Sequence, residues 1–118
     1  MKILVADDDT TITNAVVNLG KKCGVDVEAV PDGKDAIDKC TSGAAYDIIF
    51  MDVYMDNIGG IEATKQIRAL GNGSSYVIIL MSADDYDIEE VKKLGFDEYQ
   101  KKPVKKSEFE KWVEKYKK

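Results

Sequence analysis

The sequence contains no histidine. The chain has no imidazole of its own to serve as a general base, a metal ligand or a phosphoryl carrier, so chemistry of that kind must borrow one from another molecule. Cysteine is scarce: Cys23 and Cys40 both fall inside helical patterns, where they read as buried free thiols rather than a disulfide or a metal pair. No apolar run approaches the roughly 20 residues that span a bilayer, and the N-terminus MKILVADDD lacks the shape of a signal peptide. An excess of positive charge is missing as well. A net charge of −5, with acids near the start and lysines near the end, argues against nucleic acid as a direct partner. A reducing cytoplasm, with no membrane insertion, fits all of these absences.

The 118 residues suffice for one domain with one core, here taken as residues 1–118, and hydrophobic (44%) and charged (33%) fractions are those of a folded chain. No repeat, linker or low-complexity segment interrupts it. Residues 2–6 (KILVA) form an apolar strand, followed at once by Asp7-Asp8-Asp9-Thr10. Asp9 or Thr10 can cap a helix whose apolar face is Ile12, Ala15, Val16, Leu19 and Cys23, closed by Gly24. Val25, Val27 and Ala29 alternate with Asp26 and Glu28, as in a half-exposed edge strand. Pro31-Asp32-Gly33 is a turn into a shorter helix with Ala36, Ile37 and Cys40 inward, ending near Gly43.

Residues 48–51 (IIFM) are an unbroken apolar run, a strand buried on both faces, and Asp52 ends it. A loop to Gly60 leads into a helix carrying Ile61, Thr64, Ile67 and Leu70, broken by Gly71-Asn72-Gly73. Residues 76–81 (YVIILM) are a second buried strand ending at Ser82; Ile88, Val91 and Leu94 mark a short helix closed by Gly95. Residues 96–101 are another half-polar strand, Lys102-Pro103 follows, and Phe109, Trp112, Val113 and Tyr116 stripe a last amphipathic helix.

Five strands alternating with five helices imply right-handed crossovers, a parallel sheet and helices on both faces. With the most apolar strands central, the order 2-1-3-4-5 follows, and its switch point lies between strands 1 and 3. That brings Asp7, Asp8 and Asp52 together at the C-terminal sheet edge. Carboxylates a few ångströms apart repel by about 4 kcal/mol per pair at an effective dielectric near 20, which a divalent hard cation such as Mg²⁺ would offset. Ser82 adds a hydroxyl beside the cluster, and Lys102 a cation that can reach over it.

On these residues the whole chain resembles the receiver domain of two-component response regulators, a (βα)5 flavodoxin-like fold. The resemblance implies that Asp7, Asp8 and Asp52 bind Mg²⁺ together with the backbone carbonyl of Tyr54. It further implies that Asp52 accepts a phosphoryl group from a partner histidine kinase or His-containing phosphotransfer protein. Ser82 would be the switch hydroxyl, Lys102 the phosphate-binding lysine and Tyr99 the switch aromatic, although Tyr99 also reads as a half-exposed strand residue. The signal would pass to a downstream protein through helix 4, strand 5 and helix 5. Such a domain catalyses its own phosphoryl transfer and dephosphorylation and is not otherwise an enzyme.

Three features depart from that pattern. Met55-Asp56 and Gly59-Gly60 stand where Met-Pro and Asp-Gly are usual, which predicts a looser, more acidic loop. The segment from Ser82 to Gly95 is about two residues short. The chain ends with its fifth helix, so no output domain is expected. Two other chemistries fit the topology less well: a phosphohydrolase of the haloacid dehalogenase type would need an aspartate where Tyr54 stands, and a flavin-binding module would not place Asp7-Asp8-Asp9 against a phosphate. A receiver that serves only as an unphosphorylated docking module is the third alternative.

Overall fold

A computed structural model describes residues 1–117, so that Lys118, the last residue of the expected unit, lies outside the described residues. Strands and helices alternate along the chain: β1 (Lys2–Ala6), α1 (Thr10–Cys23), β2 (Asp26–Val30), α2 (Gly33–Thr41), β3 (Ile48–Asp52), α3 (Gly60–Arg68), β4 (Ile78–Ser82), α4 (Ile88–Lys93), β5 (Glu98–Lys101) and α5 (Lys106–Tyr116). The strands form one sheet of order β2-β1-β3-β4-β5, parallel throughout. This is the topology expected from the alternation of patterns.

The pleat sorts each strand's side chains between two cores. Leu4, Ala6, Ile49, Met51, Ile78 and Leu80 pack on Ala36 and Cys40 of α2, Ala63 and Ile67 of α3 and Val91 of α4. Ile3, Val5, Ile48, Phe50, Ile79 and Met81 face Val16 of α1 and Phe109 of α5. Every residue of β3 and β4 is buried, which is why their sequences are apolar without alternation. Asp9 is the cap of α1, accepting from the Thr11 N–H at 2.9 Å, and Gly24 ends the helix at φ 70°.

Two strands start later than their sequence patterns suggest. β4 begins at Ile78 because Tyr76 leaves the ladder and donates its hydroxyl to the Ala44 carbonyl at 2.7 Å. β5 begins at Glu98 because Phe96 is buried under α4, its N–H bonded to the Val91 carbonyl. At their other ends β3 and β4 run through Asp52 and Ser82, so the two candidate site residues are ladder residues rather than loop residues. Cys23 and Cys40 are free thiols. Among the described residues no helix is long and apolar enough to cross a membrane.

Candidate functional site

β1 and β3 are neighbours with Ala6 opposite Met51, so the next residues, Asp7 just past β1 and Asp52 at the end of β3, lie at the same height. Asp7, Asp8 and Asp52 can each bring a carboxylate oxygen within 4.8 Å of the others; Asp7 and Asp52 are buried and Asp8 stands exposed at the rim. Lys102 reaches in from the end of β5, its Nζ 2.8 Å from both Asp7 Oδ2 and Asp52 Oδ1. Its peptide bond to Pro103 is cis, and its N–H donates to the Ser82 carbonyl at 2.9 Å, tying the ends of β4 and β5 together.

These groups hold one another in a tense balance. Burial pushes the Asp52 carboxyl up to about 6; the Lys102 hydrogen bond pulls against it, and the neighbouring Asp7 charge adds to the rise. Burial works against the Lys102 ammonium, yet the two carboxylates outweigh it and its pKa moves up. Asp7 Oδ1 accepts from the Asp9 N–H at 2.9 Å. Asp7 Oδ2, buried, is in ion contact with Lys102 but receives no hydrogen bond of acceptable geometry among the described residues. One lysine thus faces two buried carboxylates and a third nearby. A hard oxygen set with surplus negative charge and an under-satisfied oxygen fits a Mg²⁺ ion.

Ser82 is buried one residue beyond Met81, the ladder partner of Asp52. Its Oγ accepts from the Asp84 N–H at 3.0 Å, while the Tyr99 hydroxyl donates to the Asp84 carbonyl at 2.5 Å. Tyr99 is half-buried on the α4 side of β5, its ring 6.0 Å from that of Tyr86. Tyr54 is 69% exposed. The loop that carries it does not match the expectation of a loose segment. Gly60 N–H closes it onto the Val53 carbonyl at 2.9 Å, Gly33 N–H grips the Ile58 carbonyl at 3.0 Å, and the Asn57 side chain donates to Asp32 Oδ2 at 2.7 Å. Gly60 is obligatory here, because a Cβ would fall 1.9 Å from the Asp52 carbonyl oxygen.

Sequence reasoning missed the roles of four polar residues around this site. Gln100 looks like an exposed strand residue but is buried on the α5 side, accepting from Trp112 Nε1 at 2.7 Å and donating to the Lys101 carbonyl. Its position alternates with Tyr99, which is the only sequence signal for it. Asp84 and the Asp32–Asn57 pair act through contacts between distant segments, and local patterns carry no trace of those.

The sequence model described as response regulator receiver domain matches residues 3–114. The chain belongs to this family. As a receiver domain it is a phosphoacceptor module of two-component signalling. It is 33% identical over 101 residues to two-component response regulator 24 of Arabidopsis thaliana, covering 86% of this chain and 73% of that protein. It is 34% identical over 112 residues to the osmosensing histidine protein kinase SLN1 of Saccharomyces cerevisiae, covering 90% of this chain but only 9% of the kinase. Among solved structures it is similar to the receiver domain of a Pseudomonas aeruginosa sensor histidine kinase with magnesium coordinated in its active site cleft. That match has a TM-score of 0.85 and 28% identity, and covers 98% of this receiver and 95% of the other chain. Receiver domains of this kind occur both in response regulators and within histidine kinases, and they bind Mg²⁺ at an acidic site.

Proposed function

We propose that residues 1–118 are one phosphoacceptor unit in which Asp52 takes a phosphoryl group from a histidine of a partner kinase or phosphotransfer protein. The observation that carries this reading is the buried Asp52 carboxylate at the end of β3, bridged to Asp7 by the Lys102 ammonium at 2.8 Å on each side. At neutral pH a carboxyl with a pKa of about 6 is mostly ionised and available as a nucleophile. One Asp52 oxygen forms the new P–O bond, the donor's P–N bond breaks, and its electron pair leaves with the imidazole. These 118 residues contain no histidine, so the donor imidazole lies outside them.

Lys102 stays charged and its Nζ lies 2.8 Å from Asp52 Oδ1, so it would stabilise the negative charge of oxygens transferred to that carboxylate. Mg²⁺, held by Asp7, Asp8, Asp52 and the Tyr54 carbonyl, would supply further neutralisation of the transferring group when bound. The proposed switch runs through the Asp84 backbone. Its N–H is on Ser82 Oγ and its carbonyl, in the next peptide group, is on the Tyr99 hydroxyl, so one residue links the site to β5. A phosphoryl group on Asp52 offers Ser82 stronger acceptors; as the hydroxyl turns to donate to them, the Asp84 contact is given up and Tyr99 loses its anchor. The α4, β5 and α5 face then presents a changed surface to a downstream protein. The unit works in the cytoplasm and turns over no separate substrate, catalysing only its own phosphorylation and the hydrolysis that reverses it.

Acetyl phosphate with Mg²⁺ tests the assignment by intact mass. The chain should gain one phosphoryl group, and Asp52→Ala should gain none. Undiminished labelling of that variant would overturn the choice of Asp52.

A further inference from the structure

Outside the carboxylate cluster, the most constrained surface feature is the join between the β3–α3 loop and the start of α2. The loop leaves the sheet at Val53 and returns at Gly60, where the Gly60 N–H to Val53 carbonyl bond closes its base. At its far end Asn57 adopts φ 64°, a left-handed conformation that among side-chain-bearing residues Asn and Asp tolerate best. From there its side chain donates to Asp32 Oδ2 at 2.7 Å, and the Ile58 carbonyl next to it takes the Gly33 N–H. Asp32 is itself immobilised. Its other oxygen caps α2 by accepting from the Asp35 N–H at 2.9 Å. A Cβ on Gly33 would lie 2.3 Å from the Ile58 carbonyl oxygen, so the turn has no side chain where the loop sits down. Tyr54, Met55 and Asp56 are suspended between these two anchor points.

We propose that Asp32 and Asn57 form a positioning pair that holds the loop over the carboxylate cluster and thereby sets its affinity for Mg²⁺. This rests on the metal reading above, in which the loop contributes the Tyr54 carbonyl. The loop lacks the proline that would stiffen it from within, and the pair replaces that stiffness with a fastening from outside. Freeing the tip lets the backbone at Tyr54, three residues away, wander from the geometry a small octahedral ion demands.

Both partners can be exchanged without disturbing their other duties. Asp32→Asn keeps a good helix cap, and Asn57→Asp keeps a residue at ease with positive φ. Asn57→Asp alone sets two carboxylates against each other. The double variant Asp32→Asn/Asn57→Asp restores an amide facing a carboxylate in the opposite sense. Two measurements follow: Mg²⁺ affinity by calorimetry, and amide hydrogen exchange of Gly33 and Gly60 in the metal-free protein. Asn57→Asp should bind Mg²⁺ about three- to ten-fold more weakly, short of the ~10–100-fold typical for a partner bonded directly to a metal ligand. It should also lose exchange protection at Gly33, and the double variant should recover both. The direction is diagnostic, because an added negative charge acting only through space would tighten Mg²⁺ binding. Unchanged or tighter binding in Asn57→Asp, or a double variant no better than the single one, would overturn the positioning role while leaving the metal site intact. Failure of the wild-type protein to bind Mg²⁺ at all would instead overturn the metal reading and this inference with it.

Discussion

At the scale of residues, the site is defined by a carboxylate placed where it is uncomfortable. Asp52 is buried at the end of a central strand, and its carboxyl titrates at about 6 instead of 3.8 because burial penalises the charged form more than Lys102 relieves it. A folded-state pKa above the unfolded value means that protonated Asp52 contributes stability in full below pH 3.8. That contribution disappears as pH rises through about 6. The difference is worth on the order of 3 kcal/mol at about 1.4 kcal/mol per pH unit. Lys102, whose own pKa moves upward, remains charged across that window. Urea unfolding in the presence of a chelator should therefore show the wild-type chain losing stability relative to Asp52→Asn between pH 4 and pH 7, by roughly that amount. A pH-independent difference between the two would mean that Asp52 is not desolvated in the metal-free protein. Part of what binding or phosphorylation contributes is the removal of this conflict.

At the scale of elements, β5 is the strand through which the proposed switch would connect the site to the α4, β5 and α5 face. Its alternate residues look opposite ways: Tyr99 toward α4 and the Asp84 carbonyl, Gln100 toward α5 and the Trp112 indole, while Lys102 beyond its end enters the carboxylate cluster. Residues 99–102 therefore contact the Asp84 carbonyl, the Trp112 indole and the carboxylate cluster within four consecutive positions. Trp112, the sole tryptophan, reports on this strand rather than on the metal site. Mg²⁺ alone should leave its emission nearly unchanged. Beryllofluoride, which imitates the phosphoryl group, should alter it modestly, and Ser82→Ala should abolish the response. Strong quenching by Mg²⁺ alone would be incompatible with an indole packed on Gln100. The short α4, six residues preceded by an open turn, leaves Ile88 43% exposed and so gives the face an apolar point that a partner can cover.

At the scale of the whole molecule, the proposed metal binding would be linked to folding, because the three carboxylates converge only when β1 and β3 are paired. An ion that binds the folded state alone stabilises it by about 2.7 kcal/mol at a hundred-fold excess over Kd, which for a chain of this length raises Tm on the order of 10 °C. Thermal melts with and without Mg²⁺ should show that rise, and Asp8→Asn should reduce it with little effect on the metal-free protein, since Asp8 is exposed. No rise in either protein would mean that the cluster holds no metal. The same linkage applies wherever the receiver is embedded, whether it forms most of a protein, as in the plant regulator, or a small part of one, as in the yeast kinase.

What the sequence determined by itself was the frame. The unbroken apolar runs within residues 48–51 and 76–81 are too short for free-standing helices and read as strands covered on both sides, although the second enters the ladder only at Ile78; alternation with amphipathic helices favours one parallel order, which puts Asp7, Asp8, Asp52, Ser82 and Lys102 on one edge. That inference works because burial of apolar surface is a property of composition and period, which a linear string displays. Tertiary structure decided the polar contacts between segments far apart in the chain. Gln100 is buried because α5 delivers Trp112 to it; the Tyr99 hydroxyl is engaged because the turn after β4 presents the Asp84 carbonyl; the loop after Asp52 is fastened because Asp32, 25 residues before Asn57, sits within 2.7 Å of it. A single hydrogen bond needs two groups placed to a few tenths of an ångström. No local pattern encodes such a placement, and only the packed fold supplies it.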